Sequence, residues 1–420
     1  MSDLSTATAS AVNGQPTRPR AALPALCLTQ ITSWGIVYYA FPVLNPQITT
    51  ATGWSAATTT AAFSAALLVS ALAGIRIGRI LDARGPRTVM TAGSVIGTAS
   101  LVIIATAPNL AMFSVGWLLA GLAMASTFYQ PAFAALTRWW APNHIRALTT
   151  VTLAGGLAST VFAPLTAQLS GHFSWRHTYL ILAAVLAAVT IPAHAFALRG
   201  PWPPAPPPPA TTSVPATAGV ITRSRPFLLL ATALTLSAFA MYAVVVTLVP
   251  LLLDRGYTAT QAAWALGLGG AGQTLGRTLY ATLARRSSPA LRAAVLIGLG
   301  GVTTAAFALV PGPYALLAIL AVAAGTVRGN LTLLQATAIT DRWGANRYGR
   351  LSGILAAPMT TASALAPFAG TALAVPLGGY AHLFVVLSLV SAAAAFIAWH
   401  TMPPSGRPDR QETHPTTDQY

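Results

Sequence analysis

A single arginine lies in the middle of an otherwise apolar stretch, AVAAGTVRGNLTLLQATA, residues 321–338. A cation such as Arg328 costs about 2.5–3.5 kcal/mol at the centre of a membrane-spanning helix, even on the lower insertion scales. It therefore faces protein, water or a ligand rather than lipid, and it could pair with the negative group of an anionic substrate. Thr332 and Gln335 follow at helical spacing and extend a polar stripe on the same face. The alternative is a structural cation that donates hydrogen bonds to backbone carbonyls.

A second stripe near the amino terminus combines aromatic and polar side chains. Its members recur every three or four residues and so share one helix face; they are Cys27, Gln30, Trp34, Tyr38, Phe41 and Asn45. The amide of Gln30 and the hydroxyl of Tyr38 could hydrogen-bond a ligand, with Trp34 as part of an apolar wall. Aromatic stripes also occur in plain helix packing, so both interpretations stay open.

The positions of the acidic side chains are equally informative, because the centres of the apolar stretches lack them. All seven lie outside the centres of the apolar stretches. A buried carboxylate is the usual intramembrane proton carrier and the usual partner of a cationic substrate, so the sequence disfavours both roles. His194 and His382 could titrate instead, near the ends of their stretches. With one cysteine and no carboxylate pair, metal cluster or Ser/His/Asp set in an apolar stretch, we predict neither an enzyme nor a bound cofactor or metal.

Composition places these stripes in a membrane. The chain has 420 residues, of which 55% are hydrophobic and only 7% charged, too few charges to cover a soluble protein. Residues 1–20 are polar, so no cleavable signal is expected. Apolar stretches of sufficient length predict twelve spans, over residues 22–44, 54–77, 88–107, 111–136, 147–170, 176–198, 227–252, 258–282, 290–310, 313–339, 350–372 and 378–402.

The arginines, which account for all 23 basic residues, predict the topology. The two termini and the even-numbered connections hold 20 of them, the odd-numbered connections hold Arg176 and Arg255, and Arg328 is the remainder. By the positive-inside rule both termini are cytoplasmic, and we expect the bacterial inner membrane as the location. The net charge of +16 is therefore a topology signal, and we predict the lipid bilayer but no nucleic acid as a partner.

A proline-rich stretch, RGPWPPAPPPPATTSVPATAG, divides the chain in the middle. Proline at this density favours a semi-rigid spacer, and a docking site for an SH3-type domain is the alternative. The predicted organisation is a polar tail over 1–21, a six-helix half over 22–198, a linker over 199–226, a second six-helix half over 227–402 and a polar tail over 403–420.

The two halves resemble each other in sequence. TRWWAPNHIRA at 137–147 matches DRWGANRYGRL at 341–351, and GIRIGR at 74–79 matches GQTLGR at 272–277. A duplication of six-span units places a binding site between the repeats, near the middle of the bilayer. Arg328 aligns with Met124 in the first half, so the repeat alone does not require it. The glycines of ALGLGGAGQTLG, at 265–276, predict close helix packing.

The loop GRILDARGPR, residues 78–87, resembles the signature loop of the major facilitator superfamily. The resemblance implies an all-α membrane fold with twelve transmembrane helices in two pseudo-symmetric halves. In that family the loop latches the halves in the outward-facing state. It implies latch roles for Gly78, Asp82, Arg84, Gly85 and Arg87, and for Gly276 and Arg277 in the second copy. The second copy has Tyr280 where Asp82 would fall, so the latch is expected to be asymmetric.

Shorter stretches resemble the monocarboxylate and oxalate–formate porter branch of this family. They are GWS at 53–55, AFS at 62–64, DARGPR at 82–87, PAFAALTRWW at 131–140 and SWR at 174–176. The drug/proton antiporter branch carries a glycine-rich Gly-Pro motif in span five. Here that place reads GGLASTVFAPLTAQ, with alanine before the proline, which disfavours that branch.

The family lines its cavity with spans one, four, seven and ten. The resemblance therefore implies a substrate site made of Arg328, Gln30, Trp34, Tyr38, Tyr242, Thr332 and Gln335, with Gln130 and Gln273 as further members. We predict a secondary transporter of a small organic anion, with a counter-transported anion or a proton as a possible second partner. The alternatives are an exporter of hydrophobic drugs or a natural product, and a non-transporting membrane sensor or scaffold.

Overall fold

The computed structural model describes residues 19–140, 144–202, 220–343 and 348–401, and within these ranges the regular structure is helical. Most of the predicted tails and linker, over 1–18, 203–219 and 402–420, lie outside the described residues. The long helices are labelled α1 to α12 in chain order. The first half contains α1 in three segments (Ala22–Ser33, Trp34–Tyr39, Ala40–Thr52), α2 (Ala56–Arg84), α3 (Pro86–Thr106), α4 in two segments (Leu110–Thr127, Tyr129–Trp139), α5 in two segments (His144–Gly156, Ala158–His172) and α6 in two segments (Trp175–Pro192, Ala193–Ala197). The second half contains α7 (Arg225–Asp254), α8 (Ala259–Arg286), α9 (Pro289–Leu309), α10 (Tyr314–Thr337), α11 (Tyr348–Ala374) and α12 (Tyr380–Trp399).

Ten helices in the described part of the chain are long and apolar enough to cross a membrane. The two that fall outside this set are α1, which a π-helical turn divides, and α8, which is rich in glycine. Both pack inside the same bundle as the other ten, so the order of helices follows the predicted spans. The count of twelve membrane crossings stays a prediction for α1 and α8.

The two halves share an apolar cluster at one end of the bundle, the end away from the described termini. This cluster contains Phe41, Phe63 and Trp117 of the first half together with Leu252 and Leu266 of the second. At the end that carries the termini, each half has its own cluster within the described residues. These two clusters are centred on Leu136, Trp139 and Val151 in the first half and on Phe227, Leu334 and Leu355 in the second. The apolar packing between the halves is therefore concentrated at the end away from the termini.

Polar contacts hold the closed end. Helix α2 meets α11 through a hydrogen bond between the hydroxyls of Thr60 and Thr371. One turn further along α2, the hydroxyl of Ser64 accepts a hydrogen bond from the Phe368 backbone N–H at 3.1 Å. Because α2 starts and α11 finishes at this end, these contacts lie on the side opposite the described termini.

Helices α8 and α10 approach each other along a run of glycines, which confirms the packing predicted from the sequence. A Cβ placed on Gly325 would lie 2.0 Å from the Gly269 carbonyl oxygen, and one on Gly329 would lie 2.1 Å from that of Gln273. Such distances are far inside van der Waals contact, so only glycine permits this separation. Arg328 is the residue just before Gly329, and its backbone position is therefore fixed by this contact.

Candidate functional site

Two helix irregularities face each other across the first half. Helix α1 contains a π-helical turn over Trp34–Tyr39, and α4 is broken at Phe128, whose ψ of −161° is extended rather than helical. π-Helical turns inside α-helices often occur at functional sites because they redirect side chains. Here the turn and the break bring aromatic side chains of both helices to one place.

A glutamine completes the hydrogen bonding at the break in α4. In an uninterrupted helix the Thr127 carbonyl would accept from the N–H of residue 131, but that residue is Pro131 and has no N–H. The Nε2 of Gln30 donates to this carbonyl at 2.7 Å, and Gln30 is fully buried. The structure therefore assigns Gln30 a contact between α1 and α4 instead of a place on a cavity wall.

An aromatic cluster is built around Trp34. Its ring stacks on Phe128 with centroids 4.0 Å apart, and it contacts Tyr129 at 5.2 Å and Tyr38 at 5.5 Å. The indole Nε1 of Trp34 and the hydroxyl of Tyr38 are buried and have no hydrogen-bond partner among the described residues. These two donors are available to a ligand, because a buried polar group without a partner is costly.

This cluster forms one wall of a cavity of about 290 Å³ between the two halves, here named the central cavity. Helices α1, α2 and α4 line it from the first half, and α7 and α11 from the second. Its lining includes four of the residues predicted for the substrate site, namely Trp34, Tyr38, Gln130 and Tyr242. It also includes Ser70, Tyr129, Thr360 and Ser363, which the sequence analysis did not single out. The family pattern lines the cavity with spans one, four, seven and ten, so it did not indicate α2 or α11. Tyr129 lies on α4 and is therefore not part of the stripe on α1.

The other predicted substrate residues lie elsewhere. Gln30 and Gln273 are buried outside the lining of the central cavity. Thr332 donates its hydroxyl to the Arg328 carbonyl at 3.0 Å, and Gln335 is half-buried on the same helix. The polar stripe along α10 is therefore real as a helix face, but it does not line the central cavity.

Arg328 lines a second, smaller cavity of about 60 Å³ inside the second half, here named the minor cavity. Its Nε and Nη2 atoms are buried and have no hydrogen-bond partner among the described residues. Met241 lines the minor cavity and the next residue of α7, Tyr242, lines the central cavity, so the two cavities are neighbours. Arg328 belongs to the lining of the minor cavity and not to that of the central cavity. For these two atoms, the alternative of a cation bonded to backbone carbonyls finds no support.

A second arginine lies deep in the bundle, and this corrects the sequence analysis. Arg277 was counted with the arginines of the connections, yet α8 continues to Arg286 and Arg277 is 8% exposed. It donates a hydrogen bond to the Thr152 carbonyl of α5, in the other half. Arg328 is therefore not the only cation at depth. The signal was present, because Arg277 falls inside the predicted span 258–282.

The predicted latch residues of the first half contact their own half. Asp82 forms an ion pair with Arg138 at the end of α4, and the Asp82 carbonyl accepts a hydrogen bond from Trp202 Nε1 at 3.0 Å. Arg87 Nε donates to the Ala195 carbonyl at 2.9 Å, whereas Arg84 is exposed.

The glycines of the latch differ between the two copies. Gly85 ends α2 with a φ of +78°, as expected for a tight turn. A Cβ on Gly78 would meet nothing within 4 Å, so no described residue approaches α2 closely at this point in this conformation. A Cβ on Gly276, its repeat counterpart, would lie 2.0 Å from the Thr326 carbonyl oxygen.

Acids and histidines take no part in either cavity. The linings of the central and minor cavities, as the described residues form them, contain no Asp, Glu or His. His194 is fully buried, with Nδ1 2.8 Å from the Ser94 hydroxyl, and His382 is exposed near the Gly378 carbonyl. The fixed charge near the central cavity is therefore positive and comes from arginine.

Comparison with known proteins fits this architecture. A family model described as Major Facilitator Superfamily matches residues 26–333. Monocarboxylate transporter 13 of Rattus norvegicus is 27% identical over 311 residues, which cover 68% of this chain and 69% of that protein. Monocarboxylate transporter 11 of Homo sapiens is 30% identical over 227 residues, covering 54% of this chain and 48% of that protein.

Solved structures share the fold at low sequence identity. A bacterial homolog of the human lysosomal transporter Spinster, in an inward-facing and occupied conformation, matches with a TM-score of 0.72 at 15% identity, over 90% of this chain and 96% of that one. The nucleoside transporter NupG matches with a TM-score of 0.72 at 14% identity, over 91% of this chain and 99% of that one. At these identities the likeness concerns the fold alone.

Proposed function

The chain belongs to the major facilitator superfamily and is an integral membrane transporter, and we propose that its substrate is a small organic anion. The observation that carries this proposal is Arg328, whose Nε and Nη2 are buried without a hydrogen-bond partner in the described part of the chain. An unpaired cation at this depth is costly, and a carboxylate would offset the cost with charge-assisted hydrogen bonds. The similarity to monocarboxylate transporters supports the same substrate class.

The proposed substrate site combines the central cavity with the neighbouring arginine. The carboxylate binds towards Arg328, and the hydroxyls of Tyr38 and Tyr242, two residues of the central cavity lining, donate hydrogen bonds to it. The apolar body of the substrate packs against Trp34 and Phe128 on the opposite wall. We propose Gln130, at the exposed end of the cavity, as a further hydrogen-bonding residue.

Transport would proceed by alternating access. The halves share an apolar cluster at one end and have separate clusters at the other within the described residues, which supports rocking of two six-helix units about a central site. With cytoplasmic termini, the open end would face the cytoplasm. Because no carboxylate lines either cavity in the described residues, coupling would be anion exchange, uniport, or cotransport of a proton carried by the substrate.

An exporter of hydrophobic compounds is the second candidate, because the central cavity is rich in aromatic side chains. Trp34, Tyr38, Phe128, Tyr129 and Tyr242 contribute rings to its lining. Such a surface binds planar apolar molecules without any need for a fixed charge. In this case Arg328 would be dispensable for transport.

Uptake into liposomes separates the two candidates. Purified protein is reconstituted and tested with a panel of radiolabelled monocarboxylates and dicarboxylates. We expect Arg328→Gln to lower anion uptake at least tenfold, because the charge partner is lost, while Arg286→Gln at the exposed end of α8 transports like the wild type. Full uptake of every transported anion by Arg328→Gln would reject the organic-anion proposal.

A further inference from the structure

The minor cavity has the composition of an anion site inside the second half. Its walls come from α7, α8, α9, α10 and α12 and are mainly apolar. Against this apolar background stand the guanidinium of Arg328 and the hydroxyl of Ser237. The hydroxyls of Thr303, Thr304 and Ser391 also line the cavity but donate to backbone carbonyls of their own helices. The positive group in an apolar enclosure favours a negative occupant.

The charge of Arg328 has no counter-charge in this cavity. Its Nε and Nη2 atoms are buried without a hydrogen-bond partner among the described residues, and no acidic residue stands in the lining that these residues form. Leaving a cationic donor unpaired in an apolar enclosure costs more than leaving a neutral one, since charged groups lose the most solvation. The hydroxyls cannot neutralise this charge, whereas an anion can.

Size limits the occupant to a small one. The volume of about 60 Å³ is several times the roughly 10–15 Å³ that a single water needs. A halide ion or one carboxylate group fits such a space, and the body of a larger organic molecule does not. The close glycine contacts of α8 with α10 hold Arg328 in place beside this space.

We propose that the minor cavity binds a small monovalent anionic group through Arg328, either a free halide ion or the carboxylate head of the substrate. The carboxylate source rests on the proposed function, whereas the halide source does not. All walls of the minor cavity belong to the second half, so rocking of the halves leaves the cavity intact. A halide would therefore stay bound through the transport cycle, whereas a substrate head would leave towards Tyr38 and Tyr242.

Thermal unfolding of the purified full-length protein in detergent tests the site without any transport. Sodium chloride, bromide and formate are compared with gluconate, which is too large for the cavity, at constant ionic strength. We expect the Tm to rise with the concentration of the small anions but not with gluconate, because a bound ligand stabilises the folded state by mass action. The shift should disappear in Arg328→Gln and persist in Arg286→Gln.

A second variant tests the anion site if Arg328→Gln folds poorly. Ser237→Ala removes the hydroxyl of the lining that does not donate to a backbone carbonyl in the described structure and retains the charge, so it should raise the chloride concentration that gives half of the Tm shift several-fold. The absence of any small-anion shift in the wild type, or an equal shift in Arg328→Gln, overturns the proposal.

Competition identifies the source of the anionic group. If a transported monocarboxylate shifts the midpoint of chloride stabilisation to higher concentration, the two share the minor cavity. Additive stabilisation assigns the cavity to the halide alone. A chloride shift with no uptake of any carboxylate would reject the proposed function and retain this site. Uptake that depends on Arg328, without a Tm shift from small anions, would support the proposed function and reject this anion site.

Discussion

The backbone carbonyl of Thr127 shows how one residue can decide the shape of a site. Pro131 leaves this carbonyl without its helical partner, and Gln30 of α1 supplies the missing donor. The contact fixes the break in α4, and the break places Phe128 against Trp34. Gln30 therefore shapes the aromatic wall of the central cavity although it does not line that cavity.

Replacement of Gln30 tests this role. We expect Gln30→Leu to destabilise the protein by about 1–3 kcal/mol, because a buried carbonyl loses its only side-chain donor. A lower Tm in detergent would be the measurement, with Gln335→Leu on α10 as the control. Adding Pro131→Ala should recover part of the loss, since residue 131 regains an N–H for Thr127. A double variant no more stable than Gln30→Leu would contradict the proposed pairing.

At the scale of helices, repeat-related glycines serve different purposes in the two halves. Gly276 of α8 packs directly on the backbone of α10, whereas Gly78 of α2 faces open space. The first glycine is required by the packing of this conformation. The second is free here and would be needed only if α2 approached another helix after the halves rock.

The pair offers a matched experiment. Gly276→Ala should lower the Tm, at a cost of about 1–3 kcal/mol for overpacking, because its Cβ overlaps the Thr326 carbonyl. Gly78→Ala should leave the Tm unchanged or slightly raised, as alanine favours helix over glycine. If Gly78 belongs to the latch, its variant should nevertheless transport more slowly. Equal Tm losses at both positions would contradict the asymmetry.

The beginning of the linker forms a clasp over the signature loop of the first half. Trp202 donates to the Asp82 carbonyl, and the guanidinium carbon of Arg138 lies 4.5 Å from its ring centroid. Trp139 Nε1 in turn donates to the Pro201 carbonyl at 3.1 Å. Asp82 is thereby engaged within its own half, and any latch to the second half has to compete with these contacts.

Removal of the clasp should shift the balance between conformations. We expect Trp202→Ala to favour the state in which the terminal ends of the halves meet, because Trp202 no longer holds the Asp82 carbonyl and the Arg138 guanidinium against the linker. The balance between conformations can be measured with the variant Ala71→Cys in a Cys27→Ser background, which places a single cysteine on the wall of the central cavity. The rate at which a water-soluble maleimide labels this cysteine reports how open the cavity is. Slower labelling is the expected result, Trp399→Ala at the exposed end of α12 is the control, and unchanged labelling would argue against the clasp.

At the scale of the whole molecule, the distribution of apolar clusters corresponds to one state of the proposed transport cycle. A shared cluster joins the halves at the end away from the termini, whereas the described residues at the terminal end form a separate cluster in each half. Helices α2 and α11 meet at the closed end through Thr60 and Thr371. If transport requires alternating access, this contact has to break in every cycle.

A cross-link at the closed end tests that requirement. The double variant Thr60→Cys/Thr371→Cys, in a Cys27→Ser background, should form a disulfide under mild oxidation and lose uptake. Reductant should restore uptake, because the halves can then separate at this end. Each single cysteine variant serves as a control for oxidation. Full transport by the cross-linked protein would contradict opening between α2 and α11.

The sequence by itself determined the membrane location, the division into two related halves and the family. These properties follow from composition, repeats and short motifs, which depend only on the order of residues along the chain. It also determined which residues share a helix face, as for Trp34 and Tyr38, because the helical period is fixed.

Only the tertiary structure decided which faces meet. The π-helical turn in α1 and the break before Pro131 redirect side chains, so Gln30 bridges two helices while Trp34 and Tyr38 reach the central cavity. The glycine contact between α8 and α10 turns Arg328 into the minor cavity. Helical periodicity relates residues on one helix, but the neighbour of each face depends on the rotation and separation of whole helices, which long-range packing sets.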